Sequence, residues 1–279
     1  MICLTPITLK NEQRKKGSDY ATHVVPCGKC PNCKKKRQNH WVFRLRQEQL
    51  DSFSSCFLTL TYNDENVPVT SNGYQTLVKE HFQNFMKRLR KNHQKKNKNV
   101  RIKYYAVGEY GGRTDRPHYH AIIFNLPQSV IEDDTKISEI WGKGNIMATE
   151  CNSQTIAYTT KYINKSIGTD DSIQDDDRIK EFSLMSKKLG ANYLNHANRD
   201  YYKRRKTNYI TDVDGSIRSM PRYYKEKLYT DKEREEINIS TRAYLEQNPQ
   251  YQSEKQKLDR IKSSFDKHKK RNDQERDRK

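Results

Sequence analysis

The spacing of hydrophobic positions changes several times along the chain, and each change marks a predicted element. The stretch CFLTLTY (56–62) is rich in β-forming residues and predicts a core strand. Between residues 77 and 89 the apolar side chains recur at helical spacing, at Val78, Phe82, Phe85, Met86 and Leu89. RIKYYAVGE (101–109) and HYHAIIF (118–124) predict two further strands, joined by YGGRTDRP, whose glycines and proline indicate a turn.

Three later segments complete the pattern of one sheet. TKISEIW (135–141) predicts a short helix, GNIMAT (144–149) a strand, and SQTIAYTTKYINKS (153–166) a helix with Ser153 as its N-cap. The resulting order, β-α-β-β-α-β with a trailing helix, is that of a ferredoxin-like, split βαβ arrangement. We therefore expect an α+β fold whose central antiparallel sheet carries helices on one face and leaves the other free for substrate.

Composition divides the rest of the chain around this core. Residues 1–50 form a cysteine-rich segment and a basic helix, in which Trp41, Val42 and Leu45 lie at helical offsets. The predicted core occupies residues 51–168 and is followed by a basic, tyrosine-rich extension over 169–229. The last segment, 230–279, is charged with few apolar residues, which predicts a solvated helix or disorder.

The charge of the chain indicates a polyanionic partner. Its 279 residues include 54 Lys and Arg against 35 Asp and Glu, a net charge of +19. Such an excess favours nucleic acid, although a passive solvated surface is the alternative. The 18 tyrosines favour stacking on single-stranded bases. No apolar run approaches the roughly 18 residues of a membrane span, and MICLTPITLK lacks the pattern of a signal peptide. We expect a reducing cytoplasm, no membrane partner and no disulfides.

Two histidines stand at the start of an apolar run in RPHYHAII. In a strand, His118 and His120 project from the same face and Tyr119 from the other. Two imidazoles are too few for a metal site, but Glu109 ends the preceding strand, and a hairpin would bring its carboxylate close. Two histidines and one glutamate suit Mg²⁺ or Mn²⁺. The H-x-H pair alone is equally typical of two half-buried histidines, so it does not predict a metal by itself.

A second cluster of reactive side chains lies in AYTTKYINKS. Tyr158 and Tyr162 are neighbours on one helical face, and Lys161 and Lys165 each follow a tyrosine by three residues. A phenol with a pKa of about 10 needs activation before it acts as a nucleophile. A metal on a scissile phosphate and a nearby lysine would supply it. An ordinary exposed helix could carry the same residues, so the hypothesis depends on the histidine pair and the charge of the chain as well.

The cysteines of PCGKCPNC predict a structural zinc site. Cys27, Cys30 and Cys33 have C-x-x-C-x-x-C spacing, and Cys3 is the first candidate for a fourth ligand. The alternatives for that ligand are Cys56, His23 and His40, and free thiols or a redox role are the alternative interpretations of the cluster. We expect Cys56 and Cys151 to be small buried apolar residues.

Basic clusters at 34–37, 87–91 and 201–206, together with the arginines of the 110–117 turn, are candidate phosphate contacts. A solvated face is the alternative for each cluster. The DNA-binding candidates are Lys34, Lys35, Arg37, Arg88, Arg90, Arg113, Arg116, Arg204 and Arg205.

The ordered motifs FLTLTY, RPHYHAIIF and AYTTKYINKS resemble those of HUH endonucleases, which initiate rolling-circle replication. The resemblance is closer to the replication initiators of small single-stranded DNA bacteriophages, the microviruses, and particularly the gokushovirus group. PCGKCPNC, the W-x-x-R-L pattern at 41–45 and the PRYY segment at 221–224 belong to that pattern too. The resemblance covers residues 1 to about 230.

This resemblance implies the HUH endonuclease fold and a mechanism. His118, His120 and Glu109 would hold the divalent metal. Tyr158 or Tyr162 would attack a phosphodiester of the single-stranded viral origin, which leaves a 5′-phosphotyrosine bond and a free 3′-hydroxyl for a host polymerase. The implied setting is the host cytoplasm, with a host helicase as a further partner. Two alternatives stay open: a plasmid relaxase or transposase of the same superfamily, and a non-catalytic, zinc-containing nucleic-acid-binding protein.

Overall fold

A computed structural model describes residues 3–10, 22–93, 101–112, 114–162, 176–212 and 215–248, together with positions 256, 259 and 263. The chain forms two compact units. One consists of Gln38–Asn195, and the other combines Met1–Arg37 with His196–Lys279.

The strands and helices are numbered in chain order. The strands are β1 (Ile7–Lys10), β2 (Thr22–Val25), β3 (Ser55–Tyr62), β4 (Lys103–Tyr110), β5 (Pro117–Phe124), β6 (Gly144–Glu150), β7 (Phe182–Met185), β8 (Tyr209–Thr211) and β9 (Ile217–Ser219). The helices are α1 (Pro31–Asp51), α2 (Lys79–His93), α3 (Gln128–Ile131), α4 (Asp134–Trp141), α5 (Ser153–Lys161), α6 (His196–Arg205), α7 (Arg222–Leu228) and α8 (Asp231–Glu246), with a 3-10 helix at Ala191–Leu194.

The unit Gln38–Asn195 is built on a five-stranded sheet in the order β6-β3-β5-β4-β7. All neighbouring strands are antiparallel. Strands β3 to β6 with α2 and α4 have the predicted β-α-β-β-α-β connectivity, so the α+β fold class is confirmed. The edge strand β7 was not predicted, because its four residues, FSLM, are too short to show the alternation of a half-buried strand.

The first face of the sheet is covered by α2 and α4. Alternate residues of β3 and β5, such as Leu58 and Ala121, point to this face and are fully buried. The predicted apolar stripe of α2 (Phe82, Phe85, Met86 and Leu89) packs against them, with Trp141 from the end of α4.

Tyr119, the middle residue of the H-Y-H motif, anchors the start of α2 on this face. Its hydroxyl donates to the carbonyl of Val78 over 2.7 Å and accepts from the Val78 amide over 3.1 Å. The hydroxyl of Tyr62 lies 2.6 Å away and also contacts Nδ1 of His81 at 2.8 Å. A buried phenol at this position therefore satisfies main-chain groups that a purely aliphatic residue would leave unpaired.

The second face of the sheet also carries helices, contrary to the expectation of helices on one face alone. Leu45 of α1 and Ile156 of α5 are buried against β4 and β5, in a cluster that includes Tyr105 and Ile122. The apolar offsets of these helices predicted that they would pack but did not say on which face. Burial of the β4 and β5 side chains on both faces requires a helical layer on each side.

The unit that joins Met1–Arg37 to His196–Lys279 contains two antiparallel hairpins, β1-β2 and β8-β9, and helices α6 to α8. The hydroxyl of Tyr229 donates to the carbonyls of Tyr202 and Thr207, both at 3.0 Å, and so connects α7 to the end of α6. In the 230–279 segment, α8 is a helix over Asp231–Glu246. Within the described ranges, the chain contains no helix whose length and apolar content would let it span a bilayer.

Candidate active site

Glu109 and the two histidines meet at one end of the hydrogen-bonded pair β4-β5. Antiparallel pairing places Glu109 opposite His118 and Val107 opposite His120. Oε1 of Glu109 lies 2.9 Å from Nε2 of His118 and 2.9 Å from Nε2 of His120. The structure thus brings together the three residues that the sequence suggested as metal ligands, with one ligand atom from each within 4.8 Å of the others.

The ionisation of this cluster is set by its hydrogen bonds. Burial opposes the carboxylate form of Glu109, but hydrogen bonds from His118 and His120 outweigh burial and lower the pKa of Glu109 to about 2. Burial likewise opposes the charged form of His118, and the hydrogen bond to Glu109 outweighs it, so the pKa of His118 is raised. Glu109 is therefore a carboxylate at neutral pH.

The donor set fits a divalent cation. Glu109 is only 3% exposed, and its second oxygen, Oε2, is buried without a hydrogen-bond partner among the described residues. A buried, charged oxygen left unpaired is costly unless a cation or a donor reaches it. Two imidazole nitrogens and a carboxylate oxygen are ligands that Mn²⁺ and related divalent ions accept.

The Nδ1 atoms of both histidines have partners that fix the rings. Nδ1 of His118 lies 3.0 Å from the carbonyl oxygen of Arg116, and Nδ1 of His120 lies 3.0 Å from the hydroxyl of Thr59. Such contacts turn Nε2 toward Glu109 and are typical of metal-binding histidines. Thr59 pairs directly with His120 in the β3-β5 register, and Phe57 stacks on the His120 ring. Sequence reasoning treated Thr59 and Phe57 only as strand residues of FLTLTY, yet both lie against His120.

Helix α5 brings Tyr158 to this cluster. The helix is capped by Asn152 and not by Ser153 as predicted, since the Asn152 side chain accepts hydrogen bonds from the amides of Gln154 and Thr155. The hydroxyl of Tyr158 donates to Oε1 of Glu109 over 3.3 Å and lies 3.5 Å from Nε2 of His120. Tyr158 is 38% exposed, so its hydroxyl combines contact with the cluster and access from solvent.

Tyr162, at the C-terminal end of α5, lies beside Tyr158. Its hydroxyl donates to that of Tyr158 over 2.8 Å, and its ring centroid lies 6.4 Å from that of His120. Burial and the hydrogen bond with Tyr158 raise the pKa of Tyr162. Lys161 is exposed in the last turn of α5, and Lys165 lies outside the described residues.

A second group of potential ligands is formed by the four cysteines Cys3, Cys27, Cys30 and Cys33, whose sulfurs all lie within 4.8 Å of one another. The Cys3 sulfur lies 3.5 Å from that of Cys27 and 3.9 Å from that of Cys30. A disulfide would require about 2.05 Å. Tetrahedral zinc with Zn–S bonds of about 2.3 Å places its sulfurs about 3.8 Å apart. The observed spacings fit the second arrangement, with Cys3 in the position of the fourth ligand.

Hydrogen bonds converge on the sulfur of Cys27. It accepts from the hydroxyl of Thr5 and the amide of Cys30, both at 3.2 Å, and from the amide of Lys29 at 3.4 Å. Burial opposes the thiolate, but these donors outweigh it and lower the pKa of Cys27 to about 6. The other two cysteines of the chain, Cys56 and Cys151, are buried as expected.

Several candidate DNA-binding arginines have partners within the protein. Arg88 donates to the carbonyls of Ile140 and Trp141, at 2.8 and 3.1 Å, at the end of α4. Arg116 donates to the carbonyl of Tyr62 and pairs with Asp64, the shorter contacts being 2.8 Å. These two guanidinium groups therefore hold elements together.

The remaining candidates are distributed over both units. Arg90 donates to the carbonyl of Ile102 at 3.1–3.2 Å. Lys34, Lys35 and Arg37 lie on α1, and Arg204 and Arg205 lie in the last turn of α6. Arg113 lies outside the described residues. A role in DNA binding stays a prediction for each of these residues.

Comparison with known proteins identifies relatives of this chain. The family model for replication-associated proteins of the ORF2 type matches residues 55–167, a range that contains Glu109, both histidines and both tyrosines. Replication-associated protein ORF2 of Spiroplasma virus 4 is 32% identical over 219 residues, which cover 73% of this chain and 67% of the relative.

Two further relatives come from other phages. Replication-associated protein ORF4 of Chlamydia phage 1 is 27% identical, over 73% of this chain and 53% of the relative, so the match spans about half of that protein. Replication-associated protein VP4 of Bdellovibrio phage phiMH2K is 27% identical, over 81% of this chain and 76% of the relative. No solved structure matches the chain significantly.

Proposed function

This chain belongs to the replication-associated proteins of small phages, and from that premise we propose that it nicks and rejoins single-stranded viral DNA at a replication origin. The observation that carries the proposal is the position of the Tyr158 hydroxyl, 3.3 Å from Glu109 Oε1 and 3.5 Å from His120 Nε2. A nucleophile beside three cation ligands, on a chain of net charge +19, supports transesterification of a phosphodiester.

Glu109, His118 and His120 would hold Mg²⁺ or Mn²⁺. When bound, the ion would supply Lewis-acid polarisation of the scissile phosphate. The chain itself contributes the fixed orientation of the ligands, through Thr59 and the Arg116 carbonyl, and the ionised state of Glu109.

The proposed reaction exchanges one phosphodiester for another. The Tyr158 oxygen forms a bond to phosphorus, the bond from phosphorus to the 3′-oxygen breaks, and the phenolic proton ends on the released 3′-hydroxyl. The 5′ end stays covalently attached to Tyr158. Because an ester replaces an ester, the step is close to neutral in free energy, and a 3′-hydroxyl can reverse it to ligate the strand.

We assign the first attack to Tyr158 and the second to Tyr162. The Tyr158 hydroxyl donates directly to Glu109 and lies beside Nε2 of His120, whereas the Tyr162 hydroxyl donates to that of Tyr158. After Tyr158 is esterified, Tyr162 on the same helical face is the free phenol that can accept the next strand. Lys161 and Lys165 would stabilise charge on the phosphate during these steps.

The cysteine cluster has a structural role in this proposal. Cys3, Cys27, Cys30 and Cys33 would bind zinc and fix the N-terminal segment to the start of α1. The proposed partners are the single-stranded origin, a host polymerase that extends the 3′-hydroxyl and a host helicase, in the cytoplasm of a bacterial host. Relatives named as phage replication-associated proteins favour this function over a plasmid relaxase or a transposase.

The test is formation of a covalent protein–DNA adduct that resists denaturation. Purified protein is incubated with Mn²⁺ and overlapping 3′-labelled oligonucleotides that cover the single-stranded genome. The wild type, Tyr158→Phe, Tyr162→Phe, the double variant and His118→Ala/His120→Ala are compared. The matched control is Tyr244→Phe, because Tyr244 is an exposed tyrosine of α8.

The proposal requires an adduct that the double tyrosine variant and the histidine variant lose and the Tyr244 control keeps. Tight DNA binding by the wild type without an adduct on any oligonucleotide would instead support the non-catalytic, zinc-containing binding protein.

A further inference from the structure

A basic cavity lies at the opposite end of β4 from Glu109. It has a volume of about 780 Å³, within the usual range of ligand pockets. None of its lining residues is acidic, and five are cationic: Arg90, Arg101, Lys103, Lys187 and Lys188. Lys103 and Glu109 are six residues apart on the same strand, so at about 3.3 Å per residue the cavity lies about 20 Å from the candidate metal ligands.

The charge of one of these five residues is neutralised behind the cavity. Nζ of Lys103 lies 2.6 Å from Oε1 of Glu48, whose side chain is 1% exposed. The other oxygen of Glu48 accepts from the amide of Gly190 over 2.8 Å. Lys103 is therefore paired within the fold and adds little net charge to the cavity.

The other four cations have no acidic partner in the part of the chain that the structure describes. Arg90 donates to the neutral carbonyl of Ile102 and lies over the Tyr104 ring, 5.4 Å from its centroid. Arg101, Lys187 and Lys188 are exposed and form no ion pair with any residue in the described ranges. Four positive charges around a concave wall focus a strong potential into the cavity.

The neutral groups of the wall are poorly suited to reading a base. The Ser186 hydroxyl already accepts from the Tyr104 amide over 2.9 Å. The Asn192 side chain donates to Asp51 at the rim. With these two polar groups engaged, what the wall offers is positive charge and one partly buried tyrosine ring, a combination that recognises a backbone without reading sequence.

We propose that this basic cavity binds the phosphodiester backbone of the single-stranded DNA that flanks the nicked position. The inference rests on the proposed function, which places the nicked phosphate at Tyr158. The cavity would hold the strand at a second point along the sheet and keep its register while the covalent end is exchanged between the tyrosines.

The test is the salt dependence of oligonucleotide affinity. Arg101→Gln/Lys187→Gln removes two exposed cations and leaves Lys188, whose backbone is left-handed at φ 62°. Each lost phosphate contact to single-stranded DNA lowers the slope of log affinity against log salt by about 0.7. We expect a fall of about 1.4 for the double variant on a long oligonucleotide. The matched control, Lys87→Gln/Lys136→Gln, removes two other exposed lysines and should keep the wild-type slope.

Adduct formation separates this inference from the proposed function. The double variant should form adduct at the wild-type rate on a short oligonucleotide that spans only the nicked position. A wild-type slope in the double variant, an equal fall in the control, or a loss confined to free mononucleotide binding would overturn the cavity proposal while adducts still form. Absence of adduct in the wild type would refute the proposed function, and the slope would still report on the cavity.

Discussion

The hydroxyl of Tyr162 donates a 2.8 Å hydrogen bond to the hydroxyl of Tyr158. The Tyr158 hydroxyl in turn donates to Oε1 of Glu109 over 3.3 Å. The two phenols are therefore not equivalent, although they lie four residues apart on one helix. The first donates its proton to a candidate metal ligand, and the second donates its proton to the first.

The first prediction separates the roles of the two tyrosines. In a single-turnover assay, Tyr158→Phe should reduce the first cleavage to background, because it removes the oxygen that attacks. Tyr162→Phe should keep the first cleavage within about threefold of the wild type, since one neutral hydrogen bond contributes only about 1 kcal/mol. Transfer of the covalent end to a second oligonucleotide should fail in Tyr162→Phe. Equal loss of first cleavage in both variants would contradict the assigned order.

The second prediction concerns Thr59, which holds the His120 ring through Nδ1. Thr59→Val keeps the shape of the side chain and removes the hydroxyl. We expect Mn²⁺ affinity, measured by calorimetry, to fall roughly 10- to 100-fold, the range found for groups that orient metal-binding histidines. Thr149→Val is the control, because Thr149 is an exposed strand residue on β6. If both variants bind Mn²⁺ as the wild type does, Thr59 has no positioning role.

Sequence patterns predicted the local elements well because each element displays its own period. The α2 stripe and the β4-β5 hairpin both follow from apolar spacing, and the hairpin register places Glu109 opposite His118. The patterns did not give the contacts that depend on tertiary structure. The packing of α1 on the second face and the addition of the short strand β7 are examples, since neither leaves a local signature in a basic or very short segment.

Side-chain partners were the least predictable part of the candidate site. Ser153 and Asn152 are both good capping residues, and only the backbone conformation at Asn152 shows which one caps α5. The basic clusters did not reveal which arginines contact carbonyls inside the fold, as Arg88 does. A linear cluster of charge carries no information about the direction in which each side chain points.

The third prediction concerns the cysteine cluster. Metal analysis should find one zinc per chain, and Cys27→Ser should lose it, because the hydroxyl is a far weaker ligand than the thiolate favoured at Cys27. Cys151→Ala is the control, since this buried cysteine lies outside the cluster. A chelator should lower the melting temperature of the wild type and leave that of Cys27→Ser unchanged. Equal zinc content in the wild type and Cys27→Ser would rule out this site.

The fourth prediction uses Lys225, a residue of α7. Burial, reinforced by the nearby charge of Lys36, lowers the pKa of Lys225 to about 8. The unfolded chain keeps the ordinary value near 10.5, so the unfolded state binds more protons between these two values. The contribution of Lys225 to stability should therefore be lowest below pH 8 and increase as the pH rises from about 8 to about 10.5.

Thermal unfolding at a series of pH values tests this prediction for Lys225. Lys225→Met should raise the melting temperature at pH 7 and remove part of the increase seen in the wild type at higher pH. The exposed Lys232 of α8 provides the control variant Lys232→Met. A Lys225→Met profile that runs parallel to the wild type at all pH values would show that the pKa of Lys225 is not depressed.

The fifth prediction tests whether Tyr119 is a structural residue between two functional ones. Tyr119→Phe removes a hydroxyl that makes hydrogen bonds to both main-chain groups of Val78 and to Tyr62, and leaves those buried partners unsatisfied. The free energy of unfolding should fall by about 1–3 kcal/mol. Mn²⁺ affinity should stay within about twofold of the wild type, because Tyr119 projects to the opposite face of β5 from His118 and His120. Loss of Mn²⁺ binding without loss of stability would instead place the Tyr119 hydroxyl in the metal site.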